Sequence, residues 1–255
     1  MRSEADPTVM LLRSFCLSTM AGQYESALQR AEDEGWSHRQ LLRHLCESEA
    51  ADRCQRRTAR LLAESGLPEG KSLANLDEAL LPAKVRRQLP ALLDGGFVER
   101  GANVLAFGLP GRGKTHFLAA LGRELILRHS KRVLFRPTFK LVAQLLVAKR
   151  DLRLEAELKK LDRFEVVILD DIGYVQQSRE EMEVLFTFLA ERYERRSLLI
   201  SSNLMFSQWD QIFKDPMTTM AAIDRLVHHA ILLEFEGSSL RTRKAGKAGV
   251  DPSAG

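Results

Sequence analysis

Residues 103–125 read NVLAFGLPGRGKTHFLAALGREL, and this stretch sets the reading of everything around it. It fits the spacing G-x-x-x-x-G-K-[ST] at Gly108, Gly113, Lys114 and Thr115. An apolar run, Val104–Phe107, ends at the first glycine. A helical pattern with Phe117, Leu118, Leu121 and Leu125 begins directly after the loop. Phosphate binding needs this strand–loop–helix order. Glycines let backbone N–H groups turn inward around a phosphate chain with no Cβ in the way. The N-terminus of the next helix brings partial positive charge to the same place. The expected phosphate loop is therefore Gly108, Leu109, Pro110, Gly111, Arg112, Gly113, Lys114, Thr115 and His116. Lys114 is expected to meet the β- and γ-phosphates, and the Thr115 hydroxyl to ligate Mg²⁺.

Outward from the loop, short apolar runs recur at Val133–Phe135, Val166–Leu169, Leu198–Ile200 and Ile231–Phe235. Helical patterns lie between them, near 115–129, 138–148, 180–194 and 217–228. Five buried strands alternating with helices predict an α/β fold, a parallel five-stranded sheet covered on both faces. The third run, in FEVVILDDIGYVQQS (164–178), ends in Asp170 and Asp171. Strand C-termini of such a sheet open onto the ligand crevice. Asp170 is then expected to face Mg²⁺, and Asp171 to orient or deprotonate a water on the γ-phosphate side. Taken alone, the pair also fits a solvated turn ahead of Gly173. The fourth run, in SLLISSNLMFSQW (197–209), ends near Asn203, whose amide suits the attacking water or the γ-phosphate and equally suits a helix cap. Arg225 lies on an amphipathic helix with Ile223, Leu226 and Val227. It fits either a salt bridge with Asp224 or an arginine finger reaching a neighbouring subunit. The guanine-reading pattern N-K-x-D is absent, which argues against GTP.

The rest of the chain is plainer. Of the 255 residues, 45% are apolar and 28% charged, a balance that excludes wholesale disorder. No apolar run is long enough to span a membrane, and the N-terminus lacks a basic-then-apolar leader, so a cytoplasmic protein is expected. Residues 1–65 read as a small helical domain, 66–82 as a linker rich in Gly, Ser, Pro and Asn, 83–242 as the nucleotide domain and 243–255 as a disordered basic tail. Cys16, Cys46 and Cys54 show no metal-binding spacing and are expected to be buried thiols. The pair His228–His229 has no ligand spacing and reads as packing or surface. Lys and Arg total 38 against 34 acids, a net charge of +4, which permits a polyanionic partner without requiring one.

The order GLPGRGKTH, VVILDDIGYV, SLLISSNLMFSQWDQIFKDP, AAIDRLVHH, EGSSLR, preceded by LSTMAGQYESAL and SLANLD, resembles the IstB-like AAA+ ATPases. These are helpers of insertion-sequence transposases and relatives of DnaC-type helicase loaders. The resemblance spans roughly residues 9–243. It implies an AAA+ domain without a C-terminal lid, and a homo-oligomer in a ring or spiral that uses ATP and Mg²⁺. It further implies DNA and a cognate transposase as partners. On it Asp170 and Asp171 correspond to the Walker B pair, Asn203 to sensor 1 and Arg225 to the arginine finger, with Arg241 a further nucleotide or subunit contact. Many AAA+ enzymes carry Asp-Glu where this chain has Asp-Asp, so slow or partner-dependent hydrolysis is expected.

Basic groups stand at Arg53, Arg57 and Arg60, which share a helix face, and at Lys140, Lys149, Arg150 and Arg153; such runs fit either DNA contacts or solvated faces, and acids dilute the second group. DNA contacts are expected from a subset of them, and the resemblance points to Lys149, Arg150 and Arg153, following the second strand. The resemblance adds Tyr174 and Ser178, in the loop after Walker B. Rival readings are a replicative helicase loader, a small-molecule P-loop kinase, and a nucleotide-dependent binding module with negligible hydrolysis.

Overall fold

The computed structural model describes residues 6–173, 178–205, 208–209 and 216–236. The chain divides into two compact units, Met1–Arg60 and Leu61–Gly255. The first carries helices α1 (Pro7–Ser14), α2 (Ser18–Asp33) and most of α3 (His38–Ser65). Its core is small: Met20, Ala27 and Leu45, with Leu12, Leu17, Tyr24 and Leu41 packed alongside. A buried carboxylate completes it. No side chain caps α2 locally, so Glu49 of α3 accepts from Thr19 N (2.8 Å) and Met20 N (3.1 Å), meeting donors that the first turn leaves unpaired. All three cysteines are exposed, against expectation. Cys16 sits in the α1–α2 turn with φ +57°, and Cys46 follows the inward-facing Leu45 by one residue, about 100° further round the helix.

The second unit begins earlier than the composition suggests. Residues 66–82 are not a linker, because leucines stand at intervals among the Gly, Ser and Pro residues. Leu76 and Leu81 are buried, and Leu67 and Leu73 pack on the same core. Then follow α4 (Ala83–Leu93), α5 (Gly96–Glu99), β1 (Asn103–Phe107), α6 (Lys114–His129), β2 (Val133–Pro137), α7 (Thr138–Arg150), α8 (Leu154–Leu161), β3 (Val166–Asp170), α9 (Arg179–Arg192), β4 (Ser197–Ser202), α10 (Pro216–Val227) and β5 (Ala230–Glu234). The sheet is parallel throughout, in the order β2-β3-β4-β1-β5. It is covered on both faces, which explains its unbroken apolar runs. One face packs on α6 through Phe117, Leu118 and Leu121, the other on α7, α9 and α10 through Leu141, Leu185 and Leu226. Each such fully buried side chain contributes on the order of 1.5–3 kcal/mol. Gly122 lets α6 approach closely, since a Cβ there would lie 2.5 Å from Ile168 Cδ1. Among the described residues no helix is long and apolar enough to cross a membrane.

Two buried polar side chains fix the N-terminal ends of the strands. Arg192 donates to the carbonyls of Leu161, Phe164 and Ser197, and desolvation pulls its pKa down to about 9, with the Asp162 charge opposing. Asn103 donates from Nδ2 to Leu226 O (3.0 Å) and accepts at Oδ1 from Leu198 N (2.9 Å), joining β1 to the end of α10 and the start of β4. Asn103→Ala strands both backbone groups without partners. It is expected to lower the stability of this unit by about 2 kcal/mol or more, read as a shifted urea midpoint with an unchanged slope.

Candidate nucleotide site

The sheet order creates the site. β4 lies between β1, which feeds the phosphate loop, and β3, which carries the acidic pair. Phe107 is in register with Ser202, and Leu169 with Ile200, so all three strands end at one level. The loop itself turns through glycines in left-handed backbone, Gly111 (φ +78°) and Gly113 (φ +91°). Helix α6 starts at Lys114, and its first N–H groups face the loop's concavity. Lys114 is buried to 8% exposure, and its ammonium donates to Gly108 O and, at 3.0 Å, to Leu109 O. A phosphate chain here would exchange for those carbonyls. His116 Nε2 lies 3.1 Å from Ser72 O, which ties the reassigned segment to the third residue of α6.

The acidic strand meets this loop directly. Thr115 Oγ1 donates to Asp170 Oδ1 at 2.8 Å. Adjacent ligands of an octahedral ion with 2.0–2.1 Å bonds stand about 2.9 Å apart, so this oxygen pair fits Mg²⁺. Ser201 Oγ donates to the same Asp170 oxygen at 2.7 Å and accepts from Asp171 N at 2.8 Å. Thr138 Oγ1 donates to Asp170 O at 3.0 Å. The composition of the runs hides Ser201 and Thr138. The available signal was a hydroxyl breaking the apolar run Leu198–Ile200 just before the strand ends.

Asp171 takes left-handed backbone (φ +62°) directly after the end of β3. Its pKa is raised, first by desolvation and then by the Asp170 charge, with Lys114 opposing. Asn203 sits beyond β4 with Oδ1 buried and without a hydrogen-bond partner among the described residues. Gly173 presses on that amide, since a Cβ there would lie 2.4 Å from Asn203 Oδ1. Arg112 Nε and Nη1 are likewise buried and unpartnered among the described residues.

Other expected residues stand apart. Arg225 makes no ion pair with Asp224 among the described residues. Its guanidinium lies 4.7 Å over the Phe186 ring, and its Nη1 is buried without a partner. Lys149 pairs with Glu183 (2.8 Å), Arg150 with Glu180 (4.0 Å) and Arg153 with Asp151 (2.5 Å). Arg53 pairs with Glu49 at 2.8 Å, while Arg57 and Arg60 follow on the same helix. Ser178 caps α9, its hydroxyl accepting from Glu181 N while the Glu181 carboxylate accepts from Ser178 N. Tyr174, Arg241 and the basic tail 243–255 lie outside the described residues.

Comparison with known proteins agrees with this geometry. The family described as IstB-like ATP binding protein matches residues 10–248. An insertion-sequence ATP-binding protein of Sinorhizobium fredii is 42% identical over 240 residues, 94% of this chain and 80% of the relative. The ATP-binding protein of insertion sequence IS21 from Pseudomonas aeruginosa is 36% identical over 241 residues, 94% and 91% of the two chains. Among solved structures, the DnaC helicase loader superposes with TM-score 0.54 at 18% identity, covering 69% of this chain and 99% of that one. The replication initiator DnaA bound to AMPPCP and single-stranded DNA gives 0.57 at 15%, covering 74% and 58%. These structural likenesses show the fold, the AAA+ arrangement of a parallel sheet with flanking helices.

Gly173→Ala tests the placement of Asn203. ATP affinity, measured by calorimetry, is expected to hold. Single-turnover hydrolysis is expected to fall by about 10², the scale of a misplacement near 1 Å. Hydrolysis at the parental rate would show that Asn203 does not need this position.

Proposed function

The chain belongs to the IstB-like ATP-binding family, and on that basis we propose that it is a DNA-dependent ATPase serving an insertion-sequence transposase. It assembles on target DNA as an ATP-dependent homo-oligomer, remodels that DNA and releases it on hydrolysis. The observation that carries the reading is the convergence of the Thr115 and Ser201 hydroxyls on one oxygen of Asp170, at the end of the loop that carries Lys114. It joins a phosphate loop to a hard-oxygen metal site. The insertion-sequence relatives favour a transposase partner over a replicative helicase, because the DnaC likeness reaches only the fold.

In this mechanism the loop amides and Lys114 hold the β- and γ-phosphates, and Thr115 and Asp170 would hold Mg²⁺. The metal, when bound, neutralises charge on the phosphate oxygens. Asp171 and Asn203 orient the attacking water. The raised pKa of Asp171 makes it a better proton acceptor than an ordinary aspartate. Its side chain is one methylene shorter than glutamate, which suits slow turnover released by a partner. Arg225, stacked on Phe186 and paired with no acid among the described residues, serves as the finger completing a neighbour's site. DNA phosphates compete with Glu183, Glu180 and Asp151 for Lys149, Arg150 and Arg153, and the N-terminal unit adds Arg53, Arg57 and Arg60.

Two experiments test this. Arg225→Ala is expected to bind ATP normally while DNA-stimulated hydrolysis falls about 10³-fold or more. Mixing it with Lys114→Ala subunits, which retain Arg225, is expected to restore part of the activity. No rescue at any ratio from folded, co-assembling variants would reject the shared site. Replacing Arg150 and Arg153 together is expected to make the log–log salt dependence of duplex binding shallower by up to about two units. An unaltered slope would move the DNA contacts elsewhere.

A further inference from the structure

At the other end of the sheet from the nucleotide cluster, three side chains meet that no part of this mechanism uses. Glu194 lies in the α9–β4 turn, and His228 and His229 follow α10. One ligand atom from each lies within 4.8 Å of the others. His228 Nδ1 is 3.5 Å and His229 Nε2 3.9 Å from Glu194 Oε1. Neighbouring ligands of a tetrahedral Zn²⁺, with bonds of 2.0–2.2 Å, stand about 3.3–3.5 Å apart. The three atoms therefore close around such an ion by shifts of a few tenths of an ångström to about 1 Å, within reach of side-chain rotation.

The backbone beneath them is held firmly. Glu194 takes left-handed backbone (φ +57°), and its carbonyl lies 3.0 Å from where a Cβ on Gly101 would stand. Asn103 N donates to His229 O at 3.1 Å, and His228 N to Asp224 O at 3.0 Å. Such packed turns fix the origin of each ligand side chain. The tips stay accessible, at 52%, 52% and 58% exposure for Glu194, His228 and His229, so water or another chain can complete the coordination. Two imidazoles and one carboxylate suit Zn²⁺ and its transition-metal neighbours, whereas Mg²⁺ favours an all-oxygen shell. The Tyr193 hydroxyl, 3.1 Å from His228 Nδ1, competes for that nitrogen in the metal-free state.

We propose that Glu194, His228 and His229 form a divalent transition-metal site, with Zn²⁺ the fitting ion, that clips the end of α10 to the α9–β4 turn. Arg225 stands three residues before His228 on the same helix end, so an ion here stiffens the element that carries it. The site itself does not depend on the ATPase reading.

The test uses the full chain, stripped with a chelator and titrated with Zn²⁺ in excess Mg²⁺ by calorimetry, and with Co²⁺ by visible absorption. Binding is expected to persist in Mg²⁺. It should weaken by about tenfold or more in each of Glu194→Gln, His228→Ala and His229→Ala, and stay unchanged in Lys114→Ala. Co²⁺ should give the d–d bands of a low-coordinate nitrogen–oxygen site. Bands of thiolate character would instead assign the ion to the exposed cysteines and overturn the proposal. Parental Zn²⁺ stoichiometry and affinity in His228→Ala/His229→Ala, shown folded by circular dichroism, would also overturn it, as would displacement of Zn²⁺ by Mg²⁺.

Discussion

The hydrogen bond from Thr115 to Asp170 joins the first turn of α6 to the end of β3, and β1, which leads into that helix, does not touch β3 in the sheet. β4 intervenes, so the contact has to be made over its end, and it forms only because the three strands stop at one level. Ser201, on the intervening strand, donates to the same oxygen and accepts from the next backbone amide. One carboxylate oxygen thus reports the register of β3 and β4 together with the placement of the helix that β1 leads into. A slip of β3 or β4 by a residue would turn its side chains to the opposite face and dissolve the cluster. The two apolar layers beneath hold that register. The chemistry of the site therefore rests on packing that has no direct part in it.

Much of this was legible in the sequence because buried parallel strands carry continuous apolar runs. Val104–Phe107 and Val166–Leu169 are observed as β1 and β3 nearly to the residue. The phosphate loop was legible because its glycines and lysine act at fixed spacing along one segment. Residues 66–82 misled for the opposite reason. Their Gly, Ser and Pro content describes backbone shape, while the leucines that bury the segment are too irregular to show a period. The cysteines depart from expectation because an apolar residue type does not by itself fix an inward-facing position: Cys16 lies in a turn, and Cys46 and Cys54 lie on α3, whose inward face is narrow. The pairings of Ser201 and Asn103 are not legible in the sequence. Their partners lie 31 and 123 residues away, and no local pattern encodes such a pairing.

Charge shows the same division. Lys149, Arg150 and Arg153 stand out in the sequence as a basic group, yet each meets an acid in the folded chain, in two cases from α9. Exposed pairs of this kind contribute little to stability, about 0–1 kcal/mol. What the fold supplies is a set of exposed cations, each held near an acid at little cost.

Gly108 carries a consequence that reaches past the nucleotide. Its φ is +145°, and a Cβ at this position would lie 2.4 Å from the carbonyl oxygen of Phe235, just beyond β5. The first glycine of the loop is therefore demanded by the neighbouring edge strand as much as by phosphate. A descendant of this protein that abandoned ATP would be free to lose Lys114, and would still have to keep Gly108. The residue most often taken as a signature of nucleotide chemistry would, at this position, outlive it.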